Sequence, residues 1–183
     1  MPAGSIAVEG ALPDGVQITT LTTQVDDRGD LTEVFRASSY PEWPMVQWNV
    51  VNSAANVLRG VHCHRRHHDV ITVLRGQAGI GMQDVRPWSP TLGAAAVVTL
   101  EGASQAMVAI PPGVAHAFYF CEPSTHLYGV SEYWNLDDEL GCHWADPELT
   151  IPWPSFDPQL SARDAGAGTF RDLVRDLFEP SSR

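Results

Sequence analysis

Lysine is absent from the 183 residues, so the 11 arginines supply every permanent positive side-chain charge. Against 22 aspartates and glutamates they leave a formal net charge of −11. Binding a nucleic-acid backbone needs clustered cations, so this balance excludes a nucleic-acid partner. No apolar run approaches the roughly 20 residues of a membrane-spanning helix, which predicts a soluble chain with no membrane partner. The segment MPAGSIAVEG has neither the basic stretch nor the apolar core of a secretory signal, and cytoplasmic residence is the expectation. Only three cysteines occur, Cys63, Cys121 and Cys142, in no Cys-x-x-Cys pattern. An odd number argues against a disulfide framework, and reduced thiols follow. The length suits one core, hence a single domain over residues 1–183.

What is present is short β-type runs between turn residues, the spacing of an antiparallel barrel or sandwich. The expected strands are Val46–Val51, Val57–His64, Val70–Arg75, Gly79–Val85, Ala95–Leu100, Ala106–Ile110, Ala115–Cys121 and Leu127–Trp134. They place the barrel core at about residues 17–134. Helical periodicity is confined to the end, where Phe170, Leu173, Val174, Leu177 and Phe178 recur at helical spacing behind Thr169, a candidate N-cap. Between barrel and helix, Asp146-Pro147 and Ile151-Pro152-Trp153-Pro154 read as an extended strap, giving a C-terminal strap and helix over about 144–180.

Chemistry concentrates between Arg59 and Asp69, in the run Arg59-Gly60-Val61-His62-Cys63-His64-Arg65-Arg66-His67-His68-Asp69. Side chains alternate along a strand, so His62 and His64 share one side, and a barrel interior is the expected side. Strict alternation turns Arg59 outward, whereas a bulge at Gly60 would turn it inward. Arg65, Arg66, His67 and His68 read as a solvated basic loop. The pattern Gly60-x-His62-x-His64-x4-Asp69-x6-Gly76 is similar to the first cupin motif, with Asp where Glu is usual, and Pro111-Pro112-Gly113-Val114-Ala115-His116 is similar to part of the second. Three imidazoles and a carboxylate suit a divalent metal, and the same groups suit acid–base chemistry without one.

Several further segments fall in the order and spacing of one family. They are Asp27-Arg28-Gly29, Val46-Gln47-Trp48-Asn49, Val57-Leu58-Arg59-Gly60-Val61-His62, Ser89-Pro90-Thr91-Leu92-Gly93, Leu127-Tyr128, Tyr133-Trp134, Glu139, Trp153-Pro154 and Leu160-Ser161-Ala162-Arg163-Asp164. Together the chain resembles the dTDP-4-dehydrorhamnose 3,5-epimerases. The resemblance implies a mainly β, cupin-type antiparallel barrel (jelly roll) with a C-terminal helical segment, assembled as a homodimer whose N-terminal strands extend a neighbour's sheet. It implies inversion at C3 and/or C5 beside the 4-keto group of a nucleotide-diphosphate-linked 4-keto-6-deoxyhexose, with no cofactor. His62 would be the base, Asp164 its carboxylate partner, and Tyr133 the acid on the opposite face. Arg28 and Arg59 match positions associated with the diphosphate; Gln47, Asn49, His64 and His116 match other substrate-binding positions. Without the resemblance, Ser161-x-x-Asp164 reads as a helix capping box.

The sequence departs from the family at one chemically critical place. The family carries a lysine, suited to stabilising an enolate, where this chain has Asp69, and no lysine exists elsewhere to replace it. His64 likewise stands where glutamine is common. The Arg-Gly-x-His-x-His pattern is similar to the sugar-nucleotide 3,4-ketoisomerases, one alternative. A metal cupin holding an ion with His62, His64, Asp69 and His116 is another, and a binding protein without turnover a third.

Overall fold

The computed structural model describes residues 6–154 and 157–179. Its strands are β1 (Ala7–Gly10), β2 (Gln17–Thr20), β3 (Thr23–Asp26), β4 (Gly29–Thr32), β5 (Gln47–Ser53), β6 (Val57–Cys63), β7 (Asp69–Arg75), β8 (Gln77–Asp84), β9 (Ala95–Glu101), β10 (Ala106–Ile110), β11 (Val114–Phe120), β12 (Ser124–Val130) and β13 (Leu140–Gly141). Helices α1 (Ala162–Ala165) and α2 (Phe170–Phe178) follow. One sheet runs β1-β9-β8-β11-β6-β13 and the other β2-β10-β7-β12-β5, while β3 and β4 form a separate hairpin. The pairings between these strands are antiparallel. This is the mainly β, two-sheet jelly-roll architecture that the cupin motifs imply.

The alternation of side chains decides what lies between the sheets. Ile71 and Val73 of β7, Ile80 and Met82 of β8, Val98 and Leu100 of β9, Val108 and Ile110 of β10 and Phe120 of β11 meet there in one buried cluster. The outer face of the first sheet is covered by the C-terminal segment. Leu173 and Leu177 of α2, 2% and 7% exposed, pack on Leu58, Val61 and Cys63. Each such burial contributes about 1.5–3 kcal/mol. Thr169 caps α2 in a reciprocal capping box with Asp172. The strap brings Trp153 onto β8 at Gly81, where a Cβ would stand 2.3 Å from the indole ring.

Seven of the eight expected strands lie within about two residues of those observed. The last is displaced: β12 begins at Ser124, whose hydroxyl is tied to Gln77, and pairing ends at Val130. Beyond it Ser131 turns to bond His68, so Tyr133 and Trp134 stand in a loop rather than on a strand. The barrel also starts earlier than residue 17, because β1 adds to the edge of β9. Within the chain, β1 pairs with the edge at β9 and β2 with the edge at β10.

Candidate active site

A cavity of about 460 Å³ opens between the sheets, a size suited to a small-molecule ligand. His62, His64, Arg59, Asp69, His116 and Asp164 all line it. Arg59 and His62 share the cavity because the β6–β11 register slips: His62 faces His116, but Gly60 faces Ala117, leaving Val61 as the extra residue. Gly60 has φ of +117°, and a Cβ there would lie 2.8 Å from both Ala117 Cβ and the His116 carbonyl oxygen, so the bulge needs glycine.

His62 Nε2 lies 2.9 Å from Asp164 Oδ1 and its Nδ1 lies 3.3 Å from Glu139 Oε1. The Arg163 guanidinium crowds the same edge of the ring. An imidazolium formed at His62 therefore has a carboxylate at each nitrogen. Asp164 is aimed by the start of α1, where Ser161 as N-cap accepts the Asp164 backbone N–H at 3.1 Å. Asp164 thus carries both the N-cap contact of α1, without the reciprocal bond of a full capping box, and the contact to His62. Burial raises the Asp164 pKa, but hydrogen bonds from His62, Ser161 and Gly60 outweigh it and hold the carboxyl down to about 2.

The second group surrounds Asp69. His64 Nε2, His67 Nε2 and His116 Nε2 lie 3.6, 3.7 and 3.8 Å from Asp69 Oδ2. Burial pushes the Asp69 carboxyl well above its usual range, helped by Glu139 and Asp138 nearby. Burial likewise lowers His64 and His116 to about 3, each with a further contribution from a neighbouring histidine. The potential ligand atoms of His64, His67 and Asp69 all lie within 4.8 Å of one another. His62 belongs instead with Asp164 and Glu139, which corrects the metal set expected from the cupin motif. His67, expected in a solvated loop, is 3% exposed and takes that place. His68 stacks on Trp43 at a ring separation of 4.6 Å.

Four of the expected residues are elsewhere. Tyr133 is 75% exposed in the loop after β12 and is not on the cavity wall; the tyrosine of β12 that is there is Tyr128. Arg28 caps the exposed β3–β4 hairpin, paired with Asp26. Gln47 and Asn49 bond each other further along β5, and Gln47 accepts the backbone N–H of Trp134, which does line the cavity. Glu139, His67 and Tyr128 were not singled out for chemistry by the sequence. Glu139 and Tyr128 sat within the family segments, whereas nothing in the pattern distinguished His67 from its basic neighbours.

Comparison with known proteins agrees with this fold. The sequence pattern of the dTDP-4-dehydrorhamnose 3,5-epimerase family matches residues 11–172. The protein of that name from Salmonella typhimurium is 33% identical over 172 residues, 88% of this chain and 93% of its own length. The one from Neisseria gonorrhoeae is 32% identical over 93% of this chain, which spans 54% of that longer relative. Among solved structures, dTDP-6-deoxy-D-glucose-3,5-epimerase from Legionella pneumophila, in complex with dTDP-4-keto-L-rhamnose, superposes with a TM-score of 0.83 at 30% identity, covering 94% of this chain and 97% of that one. A 3'-monoepimerase from Streptomyces bikiniensis, in complex with dTDP-quinovose, gives a TM-score of 0.81 at 28% identity, covering 90% and 88%. With its barrel, its His62–Asp164 pair and a match over most of its length, this chain belongs to the dTDP-4-dehydrorhamnose 3,5-epimerase family.

Proposed function

We propose that the chain epimerises a dTDP-linked 4-keto-6-deoxyhexose at C3, C5 or both, by removing a proton beside the ketone and returning one to the opposite face. The observation that carries this reading is the 2.9 Å contact between His62 Nε2 and Asp164 Oδ1 in the wall of the cavity. With Nε2–H donated to Asp164, Nδ1 is left as the basic nitrogen. A proton on the carbon beside a ketone is acidic because the electrons left behind spread onto the carbonyl oxygen, forming an enolate. His62 takes that proton, and the carboxylate stabilises the imidazolium.

Inversion needs an acid on the other face. Tyr128 is the better placed tyrosine, since it lines the cavity from β12 while Tyr133 points to solvent. Burial raises the Tyr128 pKa, with Glu139 and Asp69 adding to it, so the hydroxyl keeps its proton at neutral pH and can donate it. Arg59, whose Nε donates to Ser53 Oγ at 3.1 Å, offers the cavity a cation for the diphosphate. A His62–His64 proton shuttle, as in a ketoisomerase, is less well supported, because His64 Nε2 faces Asp69.

A cytoplasmic homodimer completes the reading. Three free cysteines suit a reducing compartment. No helix among the described residues is long and apolar enough to cross a membrane. The β3–β4 hairpin presents Val25 and Leu31, 78% and 66% exposed, as a surface a second copy would cover. The test of function is NMR of a dTDP-4-keto-6-deoxyglucose solution in D2O: deuterium entering C3 or C5, with an inverted product, supports the reading. A protein that binds the nucleotide sugar without exchanging either proton would be a binding module instead.

A further inference from the structure

We propose that His64, His67, Asp69 and His116 form a binding site for one divalent transition-metal ion, on the wall of the same cavity that holds the His62–Asp164 pair.

Three histidine Nε2 atoms surround a single carboxylate oxygen at 3.6, 3.7 and 3.8 Å. These separations are too long for hydrogen bonds. Ligand nitrogens and oxygens about 2.0–2.2 Å from a tetrahedral ion stand about 3.3–3.6 Å from one another. His64, His67 and Asp69 bring their ligand atoms within 4.8 Å of one another, while His116 approaches the group through the Asp69 oxygen alone, so the side chains must draw in by an ångström or more to close on an ion.

His64 Nδ1 lies 3.1 Å from the Asp138 carbonyl oxygen, and His116 Nδ1 lies 3.0 Å from the Val114 carbonyl oxygen. A carbonyl can only accept, so each of these nitrogens carries the hydrogen and each Nε2 turns a bare lone pair toward Asp69. His67 differs: its Nδ1 lies 3.5 Å from Asp138 Oδ2 without a hydrogen bond, so either of its nitrogens is free to turn a lone pair to an ion. Fixing one ring nitrogen through an acceptor so that the other can ligate is the outer-shell arrangement of histidine metal sites.

Two bare lone pairs, on His64 and His116, and the Nε2 of His67 all approach one carboxylate oxygen, and a single proton on Asp69 could satisfy one of the three imidazoles at most. A cation satisfies all four. Three imidazoles with one carboxylate suit zinc, cobalt or iron(II) rather than magnesium or calcium, which prefer oxygen ligands. His64 and His67 stack with ring centroids 3.8 Å apart, and binding would splay them toward the ion.

On the epimerase reading, this site also answers what replaces the missing lysine. An ion held by Asp69 and its histidines would supply positive charge beside the carbonyl oxygen as it becomes an enolate. His62 stays free to act as the base.

The experiment titrates Co2+, and separately Zn2+, into full-length protein stripped by chelation and shown by circular dichroism to remain folded. The expected result is one equivalent of Co2+ giving the visible bands of a histidine–carboxylate complex, displaced by Zn2+. Asp69→Asn and His67→Gln should each weaken binding by more than the roughly 10–100-fold typical of losing an outer-shell partner. His62→Asn should leave the bands unchanged. Wild-type protein showing no saturable one-to-one binding, or both site variants binding like wild type, overturns the site. The two readings separate cleanly: a chain that exchanges sugar protons fully while holding no ion overturns the metal site alone. Saturable binding in a chain that turns over no keto sugar supports the metal site and removes the epimerase reading.

Discussion

Ser161 Oγ accepts the backbone N–H of Asp164 at 3.1 Å, so the residue that begins α1 also sets the direction of the carboxylate that meets His62. Ser161→Ala should cost about 1 kcal/mol of stability as a lost helix cap. It should also lower proton exchange by letting Asp164 drift. Asp164→Asn should keep the fold and lower exchange roughly 100-fold or more, because an amide cannot stabilise the imidazolium. Solvent-deuterium incorporation followed by NMR measures both. Exchange at the wild-type rate in Asp164→Asn would remove the dyad.

The two tyrosines near the end of β12 make opposite predictions. Tyr128→Phe should still wash deuterium into the substrate through His62 while yielding little inverted product. Tyr133→Phe should change neither, since that side chain stands in solvent. If Tyr133→Phe alone uncouples exchange from inversion, its loop must close over the substrate, and the assignment to Tyr128 fails.

Gly60→Ala should damage activity more than its single methyl suggests. The new Cβ meets the Ala117 side chain and the His116 carbonyl, and the positive φ is unfavourable to any side chain. The bulge must then rearrange, turning Arg59 or His62 away from the cavity. A destabilisation of about 1–3 kcal/mol in urea melts, with exchange nearly abolished, is the expected pair of results.

Acid stability should report on a carboxylate far from the chemistry. Asp84, fully buried, accepts from Arg86 Nε and Nη2 at 2.9 and 2.8 Å, Ser89 Oγ at 2.6 Å and Thr91 Oγ1 at 2.7 Å. Burial raises its pKa, yet these donors prevail and hold it at about 2. Because the folded value lies below the unfolded one, the stabilisation is complete above about pH 4 and is lost as pH falls through about 2. Its size is ~2 kcal/mol. The stability gap between wild type and Asp84→Asn should therefore shrink as unfolding is measured at successively lower pH.

The legible and illegible parts of this chain divide along physical lines. Strand positions could be read because one buried face per strand imposes alternation, and α2 because its apolar residues recur at helical spacing behind Thr169. The bulge at Gly60 could be anticipated as a possibility, since Arg59 otherwise faced the wrong way. The role of His67 could not. Its burial depends on where the chain turns between β6 and β7, and a run of Arg, Arg, His and His carries no periodicity to reveal that turn. The exposure of Tyr133 was illegible for a related reason: the end of β12 is set by Ser131 bonding to His68, a contact between residues far apart in sequence. Glu139 beside His62 is likewise a matter of tertiary approach.

The polar wall of the cavity contains imidazoles, carboxylates, guanidinium groups and a phenol, but no primary amine. A ketone bound against such a wall cannot condense into a Schiff base with a side chain. The sugar is held throughout by reversible contacts, and product departure needs no hydrolytic step. Borohydride added during turnover should accordingly reduce the free keto sugar and leave no sugar attached to any side chain.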